Sequence, residues 1–575
     1  MRLTRFLAVL VLTGSTLFGA EPKLDPDLKD LAADRTVDVI VRYRTPPTEA
    51  QHGLILARGG ALKHNLDLIR SAHYSVSASE LQAISEDPNV EYVAPDRPVK
   101  AFAASTLGYT GSPDYGWRTV GADLATNVFG LTGAGVGIAV LDSGVSNDPD
   151  LLAANGGSRV VYSTSVVPGS SPNDHFGHGT HVSGILAGNG AQSLGPNSTY
   201  EVRGIAPRAN IVSIKVLNDN GSGTDSTVIA GIQTAINLRF RYNIRVLNLS
   251  LGRPVTSSYL TDPLCQAVQQ AWQAGIVVVV AAGNDGRDNS AGTDGYGTIT
   301  SPGNSPYVIT VGAMNTEGTA TPVDDKIASY SSKGPSVVDH IVKPDLVAPG
   351  NRIISLNLGG SYFDATYPTN DVSQSVYTSL TSLASKQYFM LSGTSMAAPM
   401  VSGAAALLIQ KNPFLTPDQI KARLMKTATK FAPGYSTATD PATGATYTDE
   451  YDIFTIGAGY LNIPAALQNT DLLMGQALSP TATYNAATNT VNIEPTGSST
   501  IWGSTTTWGT LRGTSTIWGT STIWGTSVFV NGSTTIWGRS TIWGTSTIWG
   551  TSTIWGTGTH SDDSESDRIA ISGDK

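Results

Sequence analysis

Cysteine is almost missing: Cys265 stands alone in 575 residues, so no intramolecular disulfide can close and the fold must rest on its core, with or without bound ions. It sits in the helix-like stretch "DPLCQAVQQAWQAG", where a lone thiol reads as buried and inert rather than nucleophilic. Charge is scarce as well. Asp, Glu, Lys and Arg make up 14% of the chain, against roughly 25% in an average soluble domain, which suits an exported protein with a neutral surface. With 36 Lys and Arg against 45 Asp and Glu, a net charge of -9 and no clustered basic run, nucleic acid is excluded as a partner. Long apolar runs are absent too. Phe6 to Leu12 is broken by Thr13, Gly14, Ser15 and Thr16, short of the ~20 residues a spanning helix needs, and no later segment reads as a membrane span.

What is present begins with a secretory leader. Met1 to Arg5 supplies a basic start, Phe6 to Leu12 the apolar run, and a cut is expected near Gly19-Ala20, so residues 1–20 read as a signal peptide and the protein as secreted and extracellular. Residues 35–100 alternate strand-like and helix-like patterns: "VDVIVRY", a helix expected from Gly60 to Ala72, a second helix in "SASELQAISEDP", then "VEYVAPDRPV". The low-complexity stretch "AFAASTLGYTGSPDYG" separates this small α+β unit from the next.

From Gly133 the pattern becomes short, wholly apolar runs alternating with amphipathic helices. The runs "VGIAVLD", "IVSIKVL", "IRVLNLSLG" and "GIVVVVAAGN" are what strands covered on both faces look like. The expected fold is α/β, a doubly wound parallel sheet. In such sheets ligands bind beyond the carboxyl ends of the strands, which gathers Asp142, Ser250 and Asn284 on one rim. Two more helices follow, "GTSMAAPMVSGAAALLIQK" from about Thr394, with Pro399 near its first turn, and "TPDQIKARLMKTATK", where Thr416, Pro417 and Gln419 spell a capped start. Globular sequence is expected to end near residue 470, followed by a linker at 471–497. "IWG" or "TWG" then occurs eight times, with Trp537, Trp543, Trp549 and Trp555 six apart. An even period keeps Trp on one side of an extended chain, so residues 498–558 read either as a stacked β array or as a flexible tail. Residues 559–575 form an acidic tail.

Three of the eight histidines fall in "HFGHGTH", His175 to His181. At ~100° per residue on a helix, His175 and His181 stand about 240° apart, so the three cannot converge on a metal. A proton-moving reading fits better. A serine hydroxyl needs an adjacent base, and imidazole in turn needs an orienting carboxylate. Asp142 at a strand end and the serine of "LSGTSMAAP" at a helix start are the candidates.

"VLDSGV", "HGTHVSG", "LSLG", "VAAGNDG" and "SGTSMAAP", together with "SPGNSPYVITVGA", "ASYSSKGP" and "KPDLVAPG", resemble the signature segments of the subtilisin family of serine endopeptidases over about residues 110–470. The resemblance implies a catalytic domain at 104–470 hydrolysing protein or peptide substrates through an acyl-enzyme. Asp142 would orient His178, His178 would act as base and then acid, Ser395 would attack, and Asn284 with the Ser395 N–H would hold the oxyanion. Gly221, Ser222 and Gly223 and, opposite them, Ser250, Leu251 and Gly252 would wall the substrate groove. Ala281, Ala282 and Gly283 would line the first side-chain pocket. Thr300 stands where subtilisin has glycine at the pocket base, so a shallower pocket is expected.

Residues 21–103 resemble the family's inhibitory propeptide, whose last strand fills the active site until a cut expected between Lys100 and Ala104. The resemblance implies no cofactor for the chemistry and leaves structural calcium open: Asp150 in "NDPDL" matches one ligand, while Asn197, Ser198 and Glu201 in "LGPNSTYE" read equally as turn residues. The longer segment between Gly350 and Leu391 reads as an insertion that shapes access or as a tolerated loop. Two rival readings remain at this point: an inactive scaffold adhering to a surface or polysaccharide through the Trp repeats, and a sedolisin, which "HGTHV" opposes because that group uses Glu in place of His.

Overall fold

The computed structural model describes residues 23–101, 114–379 and 386–496, with short breaks at 432–433, 442, 474, 486–489 and 495, and beyond them residues 527–529 and 574. The leader, the region expected to be cut beyond residue 101, and nearly all of the repeats and acidic tail lie outside the described residues.

The N-terminal unit comprises β1 (Thr36–Tyr43), α1 (Glu49–Ala57), β2 (Ala61–Leu66), β3 (Ser71–Ser77), α2 (Leu81–Ser85), β4 (Val90–Pro95) and β5 (Pro98–Ala101). Its antiparallel sheet runs β2-β3-β1-β4. Val39, Val41 and Tyr43 of β1 alternate inward against Tyr74, Val76, Ile55 and Ile84. The helix expected from Gly60 to Ala72 is instead β2, a turn and the start of β3. Leu62, Leu66 and Ile69 imitate a helical stripe, but Leu62 is exposed, and Leu66 and Ile69 are buried against the larger unit's core. The helix lies upstream, where Thr48 and Gln51 make a capping box that starts α1.

The larger unit is built on a mostly parallel sheet of β6 (Gly137–Asp142), β7 (Val160–Ser165), β8 (Asn210–Lys215), β10 (Ile244–Leu249), β12 (Val277–Ala281), β13 (Ile309–Asn315), β14 (Lys326–Ile327) and β15 (Leu346–Pro349). The order is β14-β13-β12-β10-β6-β8-β7, with β15 also on β13; all pairs are parallel except β13 with β14. Helices α3 (His178–Ala187), α4 (Asp225–Leu238), α5 (Pro263–Gln273), α6 (Thr394–Lys411) and α7 (Pro417–Thr427) accompany it, α4 packed with α5 and α3 with α6. Every residue of β6 and β12 is buried, which is why these runs carry no polar face. Strand β7 escapes the apolar-run pattern because it is a half-exposed edge, "VVYSTS". Two short strands, β9 (Ser222–Thr224) and β11 (Leu251–Gly252), stand outside the main sheet, and β16 (Ile353–Leu356) pairs with β17 (Tyr388–Leu391).

The segment read as a linker adds to this core: Leu473, Ala477, Leu478 and Ala482 are buried, and Ser479 receives a hydrogen bond from the buried Lys421 Nζ at 2.8 Å. Packing against the larger unit therefore continues past residue 470. Asp142 closes β6, Ser250 follows β10, Asn284 lies three residues past β12 and Ser395 is the second residue of α6, so strand ends bring these side chains to one rim.

Candidate active site

Asp142 and His178 form a buried pair. His178 Nδ1–H donates to the Asp142 carboxylate, 2.8 Å from Oδ1 and 3.0 Å from Oδ2. That bond fixes the tautomer and leaves Nε2 as the acceptor, buried and without a hydrogen-bond partner among the described residues. The start of α3 is pressed onto the loop after β6: a Cβ on Gly179 would lie 2.1 Å from the Gly144 carbonyl oxygen. Asp174, which the sequence reading passed over, anchors this turn. Its Oδ1 accepts from Ser143 Oγ and from the N–H groups of Phe176 and Gly177, and its Oδ2 accepts from the N–H and hydroxyl of Thr180. An acidic residue four positions ahead of His178, at the positive end of a helix, was the signal available.

Ser395 lies in the first turn of α6, whose cap Gly393 has φ 148°, and a Cβ there would meet Asn284 Nδ2 at 3.1 Å. Ser395 Oγ donates to the Ser250 carbonyl at 3.0 Å. Pro399 proves to be the sixth helical residue rather than a first-turn one, so its missing N–H frees the Ser395 carbonyl four residues back. Ser250 Oγ takes that acceptor at 2.9 Å, and Asn248 Nδ2 supports Ser250 Oγ at 3.0 Å. The proline thus ties the Ser395 backbone to the end of β10.

Asn284 is held by its oxygen. Oδ1 accepts from the Thr394 N–H at 2.9 Å and from Thr394 Oγ1 at 3.0 Å. This assigns the other end of the amide as Nδ2, which is buried and without a hydrogen-bond partner among the described residues. His178 Nε2 and Asn284 Nδ2 are thus a buried acceptor and a buried donor left unpaired among the described residues, groups that a reacting carbonyl could engage.

The other two histidines are accounted for. His181 is fully buried, its Nε2 3.1 Å from the Phe389 carbonyl oxygen, and burial depresses its pKa to about 3, so it stays neutral. His175 is exposed, with Nδ1 3.1 Å from an Asp219 carboxylate oxygen. Cys265 is buried, and burial raises its thiol well above the ordinary range, away from thiolate chemistry.

A groove leads to Ser395. Strand β5 lies in it as the middle of a three-stranded antiparallel sheet, between β9 and β11: Lys100 is opposite both Ser222 and Gly252, Ala101 is opposite Leu251, and the Ala101 N–H donates to the Gly221 carbonyl at 2.8 Å. The register of β5 against β11, Lys100 opposite Gly252 and Ala101 opposite Leu251, steps toward Ser250, whose carbonyl accepts from Ser395 Oγ. Ala281 ends β12, and Ala282 and Gly283 follow it beside Thr300, whose hydroxyl donates to the Ala282 carbonyl at 3.2 Å. Thr300 stands between two walls: a Cβ on Gly252 would meet its Oγ1, and one on Gly283 its Cγ2, each at 2.7 Å. The segment between Gly350 and Leu391 reaches the approach to the site. Tyr362 N–H donates to the His175 carbonyl at 2.9 Å, and the Phe363 ring lies 4.5 Å from that of Phe176.

Asp150 does not fit a calcium ligand. Oδ1 accepts the Gln192 N–H and Oδ2 the Tyr388 hydroxyl, both at 2.7 Å, and the Arg159 guanidinium donates to the Asp150 carbonyl at 2.7 Å. Hard-cation sites turn several oxygens together toward the ion, whereas here each carboxylate oxygen is turned to a hydrogen-bond donor and the carbonyl to a guanidinium. Glu201 pairs with Arg203 at 3.2 Å and Ser198 Oγ donates to the Ser193 carbonyl, as turn residues do. Among the described residues no group of three or more His, Cys, Asp or Glu could hold a metal ion.

The sequence model of the subtilase family, peptidase S8, matches residues 133–453, more than half of the chain. Serine protease AprX of Bacillus subtilis strain 168 is 39% identical over 378 residues, covering 64% of this chain and 76% of that protein. Subtilisin E of the same strain is 32% identical over 416 residues, covering 72% of this chain and 85% of that protein. Among solved structures, fervidolysin from Fervidobacterium pennivorans, described as a keratinolytic enzyme related to subtilisin, aligns with a TM-score of 0.55 at 22% identity, over 79% of this chain and 64% of that one. At that identity the likeness speaks to the fold alone. The chain belongs to the subtilase family and is a subtilisin-like serine endopeptidase.

Proposed function

We propose that the protein is a secreted, self-processing endopeptidase whose catalytic triad is Asp142, His178 and Ser395. The observation that carries this reading is the buried Asp142–His178 pair at 2.8 Å, with the imidazole Nε2 left without a hydrogen-bond partner among the described residues, on a helix that packs against α6. In the reaction, Ser395 Oγ turns from the Ser250 carbonyl to His178 Nε2, gives up its proton there and attacks the substrate carbonyl. Asp142 holds Nδ1–H and stabilises the imidazolium. Asn284 Nδ2 and the Ser395 N–H, at the positive end of an 18-residue helix, receive the oxyanion. His178 then protonates the leaving amine, and water repeats the sequence in reverse to release the acyl group. No cofactor enters these steps.

Residues 21–103 act as an inhibitory propeptide, supported by β5 lying in the groove as a substrate strand would. Asp96 strengthens the hold by accepting the N–H and hydroxyl of Ser226, each at 2.8 Å, at the start of α4. Sequencing the N terminus of the mature enzyme from culture medium is expected to place it between Lys100 and Ala104. A secreted active enzyme still carrying residues 35–100 covalently would contradict the zymogen reading.

Thr300 shapes the residue preferred before the scissile bond. Its side chain fills space between Gly252 and Gly283, so the pocket favours small or medium side chains. Thr300→Gly is expected to raise kcat/KM for phenylalanine relative to alanine at that position by about 10-fold. A peptide-library profile of the wild type that already favours large aromatics sinks this assignment.

A further inference from the structure

A polar socket next to the nucleophile's loop is not used by the peptide-bond chemistry. Arg287 lies three residues beyond Asn284 and is only 8% exposed. Its Nε donates to Ser329 Oγ at 2.9 Å and its Nη2 to Asp574 Oδ1 at 2.8 Å, a contact spanning 287 residues of sequence. Ser329 Oγ donates to the same carboxylate oxygen at 2.7 Å, and the Ser329 backbone N–H donates to Oδ2. Asn351 reads the backbone of the same residue at both ends: its Nδ2 donates to the Asp574 carbonyl at 3.0 Å, and its Oδ1 accepts the Asp574 N–H at 2.7 Å. Asp574 is completely buried.

Each part selects a chemical feature. The guanidinium, whose Nη1 also faces the buried Asp440 carboxylate at 3.5 Å, joins the serine hydroxyl and N–H in selecting a carboxylate at Nη2, and a buried carboxylate is tolerated only when matched by such donors. The Asn351 amide, donating to a carbonyl and accepting an N–H of one residue, selects a peptide, which inorganic anions and free organic acids do not supply. We propose that Arg287, Ser329 and Asn351 form a binding site for an aspartyl residue within a peptide, and that its resident occupant is this chain's own Asp574. Thr496, at the other end of the repeat-bearing stretch, is also buried, its hydroxyl 2.7 Å from that of Thr481. That stretch is therefore fastened to the catalytic unit at both ends.

The socket is also joined to the active site. Asn351 follows Gly350, whose carbonyl accepts the Gly393 N–H at 2.9 Å and the hydroxyl of Tyr330, the neighbour of Ser329, at 3.1 Å. Occupancy braces the loop that leads into Ser395. Between these ends residues 527–529 also pair with 490–492, and the connection from Phe529 to Asp574 supplies an effective concentration on the order of a millimolar or less, so the socket stays filled only if its intrinsic dissociation constant lies below that.

The test uses the full chain carrying Ser395→Ala, to prevent self-digestion, with and without Asp574→Ala. The probe is the acetylated peptide AISGDK, residues 570–575, and its counterpart with Asn in place of Asp. Calorimetry is expected to show the Asp peptide binding the Asp574→Ala protein with a Kd below about 1 mM, at least tenfold more tightly than the Asn peptide, and at least tenfold more tightly than it binds protein with Asp574 in place. Hydrogen exchange at Ser329 is expected to rise at least tenfold with Asp574→Ala and to fall again with the Asp peptide. No binding to the emptied socket, equal affinity for the two peptides, or unchanged Ser329 exchange overturns the proposal.

Discussion

Ser395→Ala, expressed from residue 21, is expected to accumulate as a full-length precursor and to lose about 10⁶-fold in kcat, the scale known for subtilisin itself. Both outcomes follow from one geometry. The register of β5 in the groove steps toward Ser250, whose carbonyl holds the Ser395 hydroxyl, and under the proposed zymogen reading that hydroxyl is needed for self-processing as well as for turnover. Without that hydroxyl neither the propeptide bond nor casein is cut. The substitution removes one oxygen from a fully buried position, where the hydroxyl donates to the Ser250 carbonyl. That carbonyl is a strand-end group of the rim, so the variant is expected to remain folded, with a far-UV spectrum and melting temperature close to the parent's. A variant that still processes itself and degrades casein would remove Ser395 from the mechanism.

Asp142→Asn is expected to cost about 10⁴-fold in kcat with little change in KM. Both carboxylate oxygens of Asp142 lie within 3.0 Å of His178 Nδ1, and Oδ1 also accepts the Ser143 N–H at 2.7 Å. An asparagine keeps its oxygen on that N–H and turns its NH2 toward Nδ1. An imidazole that accepts this NH2 at Nδ1 carries its proton on Nε2 and cannot take the serine proton, and one that keeps Nδ1–H on the remaining oxygen lacks the negative charge that stabilises the imidazolium. Substrate contacts in the groove are untouched, so the loss falls on turnover. A loss carried by KM instead would mean that Asp142 shapes the groove rather than the base.

The same residues explain what could be read from the sequence. The buried runs of β6, β8, β10 and β12 are legible because a strand covered on both faces tolerates no polar break, and a buried Val or Ile contributes roughly 1.5–3 kcal/mol. Asp142, His178, Asn284 and Ser395 stand out because short glycine-rich segments surround them, and Gly179 and Gly393 show the cause: a Cβ on Gly179 would collide with the Gly144 carbonyl, and Gly393 has a φ of 148° with the Asn284 amide 3.1 Å from where its Cβ would be. Features held by long-range contacts were hidden. Gly60 to Ala72 carries helix-like spacing, yet its pairing with Ser71–Ser77 and the burial of Leu66 and Ile69 against the larger unit make it strand. Pro399 reads as a helix-start residue until the Ser250 hydroxyl is seen to take the carbonyl it frees. Residues 473–482 look like linker by composition but bury four apolar side chains, and nothing local announces that Asp574 meets Arg287.

The central claim is that Ser395 is the nucleophile activated by His178, and covalent labelling tests it most directly. The mature enzyme, treated with a fluorophosphonate and digested for mass spectrometry, is expected to carry one label, on Ser395, in step with the loss of peptidase activity. His178→Ala is expected to leave that serine essentially unlabelled. Full inactivation with the label on another residue, or undiminished labelling of Ser395 in the His178→Ala protein, would contradict the account.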